Sequence, residues 1–159
     1  MTRFQVAYAA ALILCSTAAF AAAPEIRLTP AEVADLLGHS AGAGTSGISG
    51  IQTMVLAGDP SKSGPHTIRL RVPARTRIAA HSHRDDRTAV VISGTWFFGY
   101  GRTATQSALK SLPPSSFYSE PGGIAHFAET RNDAVVVYIT GNGPTDTVYV
   151  NPADDPRRK

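Results

Sequence analysis

His81-Ser82-His83 and, later in the chain, Pro121-Gly122-Gly123-Ile124-Ala125-His126 are the two stretches that decide the fold. Alternate side chains of an extended strand share a face, so His81 and His83 send both imidazoles to the same side. In the second stretch the Pro-Gly-Gly turn can fold one strand back on another and aim His126 inward. Three neutral imidazoles converging on one point form a ligand set for a transition metal. Any one of them alone would be read as a polar core or surface residue; three in register point to a metal.

From Ile51 onward the chain breaks into short apolar or alternating runs separated by Gly, Pro, Asn and Asp, the pattern of a strand-rich barrel or sandwich. The runs predict strands over 51–56, 67–72, 75–80, 88–92, 95–100, 116–120, 124–129, 134–140 and 147–150. No helical pattern intervenes, which argues against a parallel βαβ sheet and for an antiparallel jelly roll or small barrel. Ahead of the strands, Thr29-Pro30-Ala31-Glu32 is a capping box with proline at the first helical position. Val33, Ala34, Leu36 and Leu37 extend it into one short helix ending near Gly38. Residues 40–50, rich in Gly and Ser, are expected to be a flexible connector that buries little.

The two histidine stretches resemble the paired motifs of the cupin superfamily. The first motif runs Gly, five residues, His-x-His, three or four residues, Glu, six residues, Gly; His81, His83 and Gly94 fit that register. The second runs Gly, five residues, Pro-x-Gly, two residues, His, three residues, Asn. Pro121, Gly123 and His126 match it, with Ser115 and Thr130 in place of its opening Gly and closing Asn. The interval Thr95 to Pro114 suits a small single-domain cupin of the cupin-2 kind, and the closing stretch from Tyr149 to Pro156 is similar to the tails of small secreted bacterial cupins. The resemblance implies an all-β, double-stranded β-helix (a jelly-roll barrel) over 51–150, preceded by the helix and connector (22–50) and followed by a tail (151–159). It also implies one divalent transition metal (Fe, Zn, Ni, Cu or Mn) held by His81, His83 and His126.

The departure from the family is Arg87, which stands where the cupins carry their metal-binding Glu. A guanidinium cannot ligate a cation. The change leaves either a three-histidine site, similar to that of the thiol dioxygenases among the cupins, or a site that has lost its metal. Asp85 and Asp86 offer a substitute carboxylate, although a turn is expected there and turn carboxylates are ordinarily solvated. Arg87 is expected to face the cavity, as a structural ion-pair partner or as an anchor for an anionic ligand, since its planar fork pairs with carboxylates. Glu120 is the candidate catalytic base if it faces the cavity; it pairs with Arg87 there, or it sits outside in solvent. Trp96, Phe98 and Tyr100 alternate along one strand, near Phe117, Tyr118, Phe127 and Tyr138. Core or dimer packing is the expected role of these rings, and a wall for an apolar ligand is the alternative. Arg69, Arg71, Arg75 and Arg77 read as a solvated strand face, without the aromatic interleaving of an oligonucleotide platform.

The chain's 159 residues suffice for one ordinary domain, and 15 Lys+Arg against 12 Asp+Glu give no basic block that would recruit nucleic acid. Arg3, the largely apolar run Phe4 to Phe20 and the tract Ala21-Ala22-Ala23 have the form of a secretory signal peptide. Ala19-Phe20-Ala21 places the cut after Ala21, whereas a cut after Ala23 would leave Pro24 at the disfavoured next position. An uncleaved anchor is the alternative, but the apolar run falls short of the roughly 20 residues that cross a bilayer comfortably. Cys15 is the only cysteine and follows Leu14, which does not fit a lipidation site, so the mature domain is left without a disulfide despite an oxidising destination.

No nucleophile elbow, phosphate loop or dinucleotide fingerprint is present in the sequence. The expected protein is therefore secreted or periplasmic, free of the membrane once cleaved, and takes a small-molecule ligand, with a homodimer as the expected assembly. It is either a metal-dependent oxygenase or isomerase of a small organic molecule, or a non-catalytic cupin that binds or senses a small, anionic ligand beside a degenerate metal site. Intact mass of the exported protein tests the first step. Export should remove residues through Ala21, and a mass that starts at Met1 would overturn the signal-peptide assignment.

Overall fold

The computed structural model describes residues 24–39 and 42–158; the expected signal peptide (1–21) lies outside them. Ten strands follow one short helix, α1 (Pro30–Ala34). They are β1 (Gln52–Ala57), β2 (Gly64–Val72), β3 (Arg77–Ser82), β4 (Arg87–Ser93), β5 (Trp96–Tyr100), β6 (Lys110–Leu112), β7 (Phe117–Glu120), β8 (His126–Glu129), β9 (Val135–Gly143) and β10 (Val148–Tyr149). One antiparallel sheet runs β1-β2-β9-β4-β7 and the other β10-β3-β8-β5-β6, and the two face each other as a jelly-roll barrel.

The alternation that predicted the strands is what closes the barrel. From His81 to Val91 every second side chain is buried, which carries His81, His83, Asp85, Arg87, Ala89 and Val91 to the inside. The core packs Ile68, Leu70, Val137 and Ile139 of the first sheet against Ile78, Trp96, Phe98 and Ala128 of the second. Full burial of each large apolar side chain contributes about 1.5–3 kcal/mol. Several of these apolar side chains also border the buried polar residues His81, His83, Arg87, Glu120 and His126.

Each of the nine predicted strands is present, with ends that shift by a few residues. β6 is the addition: Lys110-Ser111-Leu112 has a single apolar residue, too few to show an alternation, and it forms by pairing with β5 at the sheet edge. The helix stops at Ala34 and not near Gly38, with both bonds of its capping box formed. Only Val33 finds a core beneath it, and Leu37 is left 85% exposed.

Residues 42–50 depart from the expected flexible connector. Thr45 and Ser46 are buried and Ile48 packs on the core. The Ser46 carbonyl accepts a hydrogen bond of 2.6 Å from the Tyr149 hydroxyl, and the Gly44 carbonyl accepts one of 3.2 Å from Arg87 Nη1. Small residues let this strap lie close, since a Cβ at residue 44 would sit 2.5 Å from Thr145 Cγ2. Composition signalled a stretch with little to bury, whereas its backbone carbonyls serve as acceptors for buried donors.

Among the described residues, Arg75 (φ 57°) and Ser115 (φ 71°) are the non-glycine residues with left-handed backbone. Counting back from His81 and from Pro121, they stand at the opening-glycine positions of the two motifs. The left-handed region costs a residue with a Cβ about 1–2 kcal/mol. Ser115→Gly is therefore expected to raise stability by about 1 kcal/mol, less what glycine's freer unfolded chain takes back. A higher urea midpoint checks this; an unchanged or lower one contradicts it.

Candidate metal centre

Strand pairing brings the histidines together. His81 on β3 lies directly across from His126 on β8, and the register shift between Ile78 and His81 puts His81, not Ala80, in that place. His83 follows just past the end of β3, where its carbonyl accepts the Gly123 amide of the Pro-Gly-Gly turn at 2.7 Å. The ring centroids are 4.4 Å apart for His81 and His126, 5.0 Å for His81 and His83, and 5.1 Å for His83 and His126. One ligand atom from each lies within 4.8 Å of the others.

Each imidazole is oriented in the same way. Nδ1 of His81 bonds the Ala79 carbonyl at 2.8 Å, Nδ1 of His126 the Ile124 carbonyl at 3.1 Å, and Nδ1 of His83 the Asp146 carbonyl. A carbonyl only accepts, so each Nδ1 carries the proton and each Nε2 keeps its lone pair. Nε2 of His83 and of His126 are buried without a hydrogen-bond partner. Backbone-oriented imidazoles with free Nε2 lone pairs are the arrangement in which proteins present histidine to a metal. Burial keeps all three neutral: it pulls His81 down to about 3, with the His126 charge adding, and lowers His83 and His126 as well.

Arg87 and Glu120 meet beside the histidines, as cross-strand neighbours on β4 and β7. Arg87 Nε donates to Glu120 Oε2 at 2.7 Å, and Nη2 donates to the same oxygen. Glu120 Oε2 lies 3.8 Å from His83 Nε2 and Oε1 lies 3.9 Å from His126 Nε2. Burial alone would raise the Glu120 pKa, but the Arg87 charge overrides it and holds the carboxyl below its usual value. The anion that Arg87 anchors in this structure is therefore internal, and its third nitrogen is taken by the strap.

The cavity around these groups is about 30 Å³ and is lined by Ile68, Leu70, Trp96, Phe98 and Tyr118, with Gly44 and Ser46 of the strap across it. The Phe98 ring stacks on His126 with centroids 5.4 Å apart. Burial, with the Glu120 charge, pushes the Tyr118 phenol well above its usual value and keeps it protonated. Trp96 and Phe98 thus serve both as core and as cavity wall, while Tyr100 and Phe117 are 48% and 66% exposed.

Among solved structures, the polyketide cyclase RemF from Streptomyces resistomycificus superposes with a TM-score of 0.65 at 13% identity, covering 84% of this chain and 90% of that one. An RmlC-like cupin from Shewanella frigidimarina gives 0.55 at 12% identity, covering 76% of this chain and 92% of that one. The fold is that of the cupins. The DMSP lyase DddQ from Ruegeria pomeroyi matches at a TM-score of 0.51 and 15% identity, over 59% of this chain and 47% of the lyase, so the chain spans about half the length of that enzyme. No protein-family model and no curated protein matches the chain.

Against the cupin motifs, the structure brings His81, His83, His126, Arg87 and Glu120 to one place. Asp86 stays outside, where its Oδ1 accepts the Gly122 amide at 2.8 Å. Asp85 is neither solvated nor part of the histidine cluster. Its carboxylate lies over Gly141 beside the His66 ring, and both oxygens of Asp85 and both nitrogens of His66 lack partners among the described residues. The inward alternation through residues 81–91 could have flagged Asp85, and the same alternation through His66, Ile68, Leu70 and Val72 could have flagged that histidine.

The strap's hold on the cavity is testable at Tyr149, whose phenol burial raises to about 12. Tyr149→Phe removes the bond to Ser46 and is expected to cost about 1 kcal/mol. Amide exchange at Thr45 to Ile48 should accelerate more than exchange in β9. Equal rates in both proteins would mean that the strap is held by other contacts.

Proposed function

We propose that this protein is an exported cupin that holds one divalent transition metal through His81, His83 and His126 and acts with it on a small organic molecule, as an oxygenase or an isomerase. The observation that carries this reading is the shared orientation of the three imidazoles. Each Nδ1 is spent on a backbone carbonyl and each Nε2 lone pair is left for the common centre. Nitrogen-rich donors of this kind fit zinc, iron, nickel, copper or manganese.

When bound, the ion supplies a Lewis acid. The chain's own residues supply the rest. Tyr118 keeps a proton at its hydroxyl, Trp96 and Phe98 exclude water, and Arg87 holds Glu120 ionised and in place. Gly44 and Ser46 of the strap complete the cavity lining. Exposed Val90, Ile92 and Phe117 on one sheet face support self-association as a homodimer, with neither nucleic acid nor membrane as partner.

A second reading, a non-catalytic cupin that retains a metal or senses a small ligand, is favoured by the cavity size. About 30 Å³ holds an ion and a water or two, each water needing about 10–15 Å³ by the same measure. Elemental analysis of untagged mature protein should find about one transition-metal ion per chain, and the His81→Ala, His83→Ala double variant should lose it. Full metal content in that variant would overturn the assignment. Azide added to the Co²⁺-loaded protein separates the two readings: a changed visible spectrum supports an open coordination position and catalysis, and an unchanged one supports the closed binding module.

A further inference from the structure

We propose that Glu120 is the fourth ligand of the metal, supplied from the strand next to the one that carries the missing family carboxylate, and that Arg87 is its positioning residue. The inference rests on the three-histidine reading and goes beyond it in ligand set and in the role of both residues.

Position 87 is where the cupin Glu would stand, and residue 120 is its direct partner across β4 and β7. A carboxylate lost from one strand is thus restored one strand over, on the same inward face. Both Arg87 and Glu120 are buried, at 3% and 4% exposure. Arg87 Nε and Nη2 both grip Oε2, which fixes the plane of the carboxylate. Oε1 receives no hydrogen bond from any described residue and is turned towards His126 Nε2.

What faces Glu120 is decisive. The Nδ1 protons are committed to carbonyls, so Nε2 of His83 and of His126 present lone pairs, and so does the carboxylate. Acceptors therefore confront acceptors across less than 4 Å, in a buried place and with no proton between them. A cation at the centre turns that opposition into coordination. With metal–ligand bonds of about 2.0–2.2 Å, tetrahedral donors lie about 3.4 Å apart. The observed 3.9 Å between Oε1 and His126 Nε2 closes to that value with a shift of about half an ångström.

Arg87 has two opposed effects. It keeps Glu120 ionised and aimed, so that no proton need be displaced when metal arrives. It also places a positive charge near the ion and draws electron density from the ligating carboxylate, which weakens the metal's hold and leaves the ion more electrophilic. Arg87→Met should consequently bind metal at least as tightly as the native protein.

The test compares four proteins for Zn²⁺ affinity by chelator competition and for the visible spectrum of the Co²⁺ form. They are the native chain, Arg87→Met, the Arg87→Met, Glu120→Gln double variant, and the swap Arg87→Glu, Glu120→Arg. The double variant removes the ion pair as a pair, which buried sites tolerate better than loss of one partner. It should bind Zn²⁺ about 100-fold more weakly than Arg87→Met and show an altered Co²⁺ spectrum. The swap, which returns the carboxylate to the register of the first motif, should stay within about tenfold of the native affinity. As a readout independent of any variant's folding, Zn²⁺ loading of the native protein should shift a carboxylate band in the difference infrared spectrum. Zn²⁺ affinity and Co²⁺ spectrum unchanged by Glu120→Gln in the Arg87→Met background, or no carboxylate shift on loading, would overturn the assignment of Glu120 while leaving the three-histidine site standing. A native protein that binds neither ion would overturn both.

Discussion

The site is organised around a buried guanidinium pressed against one oxygen of a buried carboxylate. The Arg87–Glu120 pair joins β4 to β7, fixes the second carboxylate oxygen towards the histidines and, through Arg87 Nη1, ties the strap to the cavity wall. Desolvation of two charges offsets much of their attraction, so such a pair contributes little net stability compared with an apolar pair of the same shape. Its use is geometric. Removing either partner alone strands a buried charge, and that constraint keeps side chains from two strands and a loop in one arrangement.

Much of this was legible in the sequence because it follows from period and spacing. Alternation gave nine strands, and His-x-His with a Pro-Gly-Gly turn ahead of a third histidine gave a convergent cluster, as β3 and β8 show. What was hidden depends on contacts between segments distant in the chain. β6 exists only by pairing with β5. The strap is ordered by donors from Arg87 and Tyr149, residues that lie far from it in sequence. Arg75 and Ser115 show the converse case: the glycines that open the two cupin motifs are absent, yet the left-handed backbone they would have served is kept.

The strap and the histidine cluster share one cavity. A small cavity, three oriented imidazoles and a carboxylate suit an ion held out of bulk water, and Gly44 and Ser46 of the strap line that same cavity. Gly44 and Ser46 contribute backbone carbonyls to the strap's attachment, while Ile48 packs it on the core.

Anomalous diffraction from crystals grown with Zn²⁺ tests the central claim most directly. The account predicts one strong anomalous peak per chain inside the barrel, about 2.0–2.2 Å from Nε2 of His81, His83 and His126 and from Glu120 Oε1. A barrel interior without a peak, with zinc only at surface residues, would contradict it.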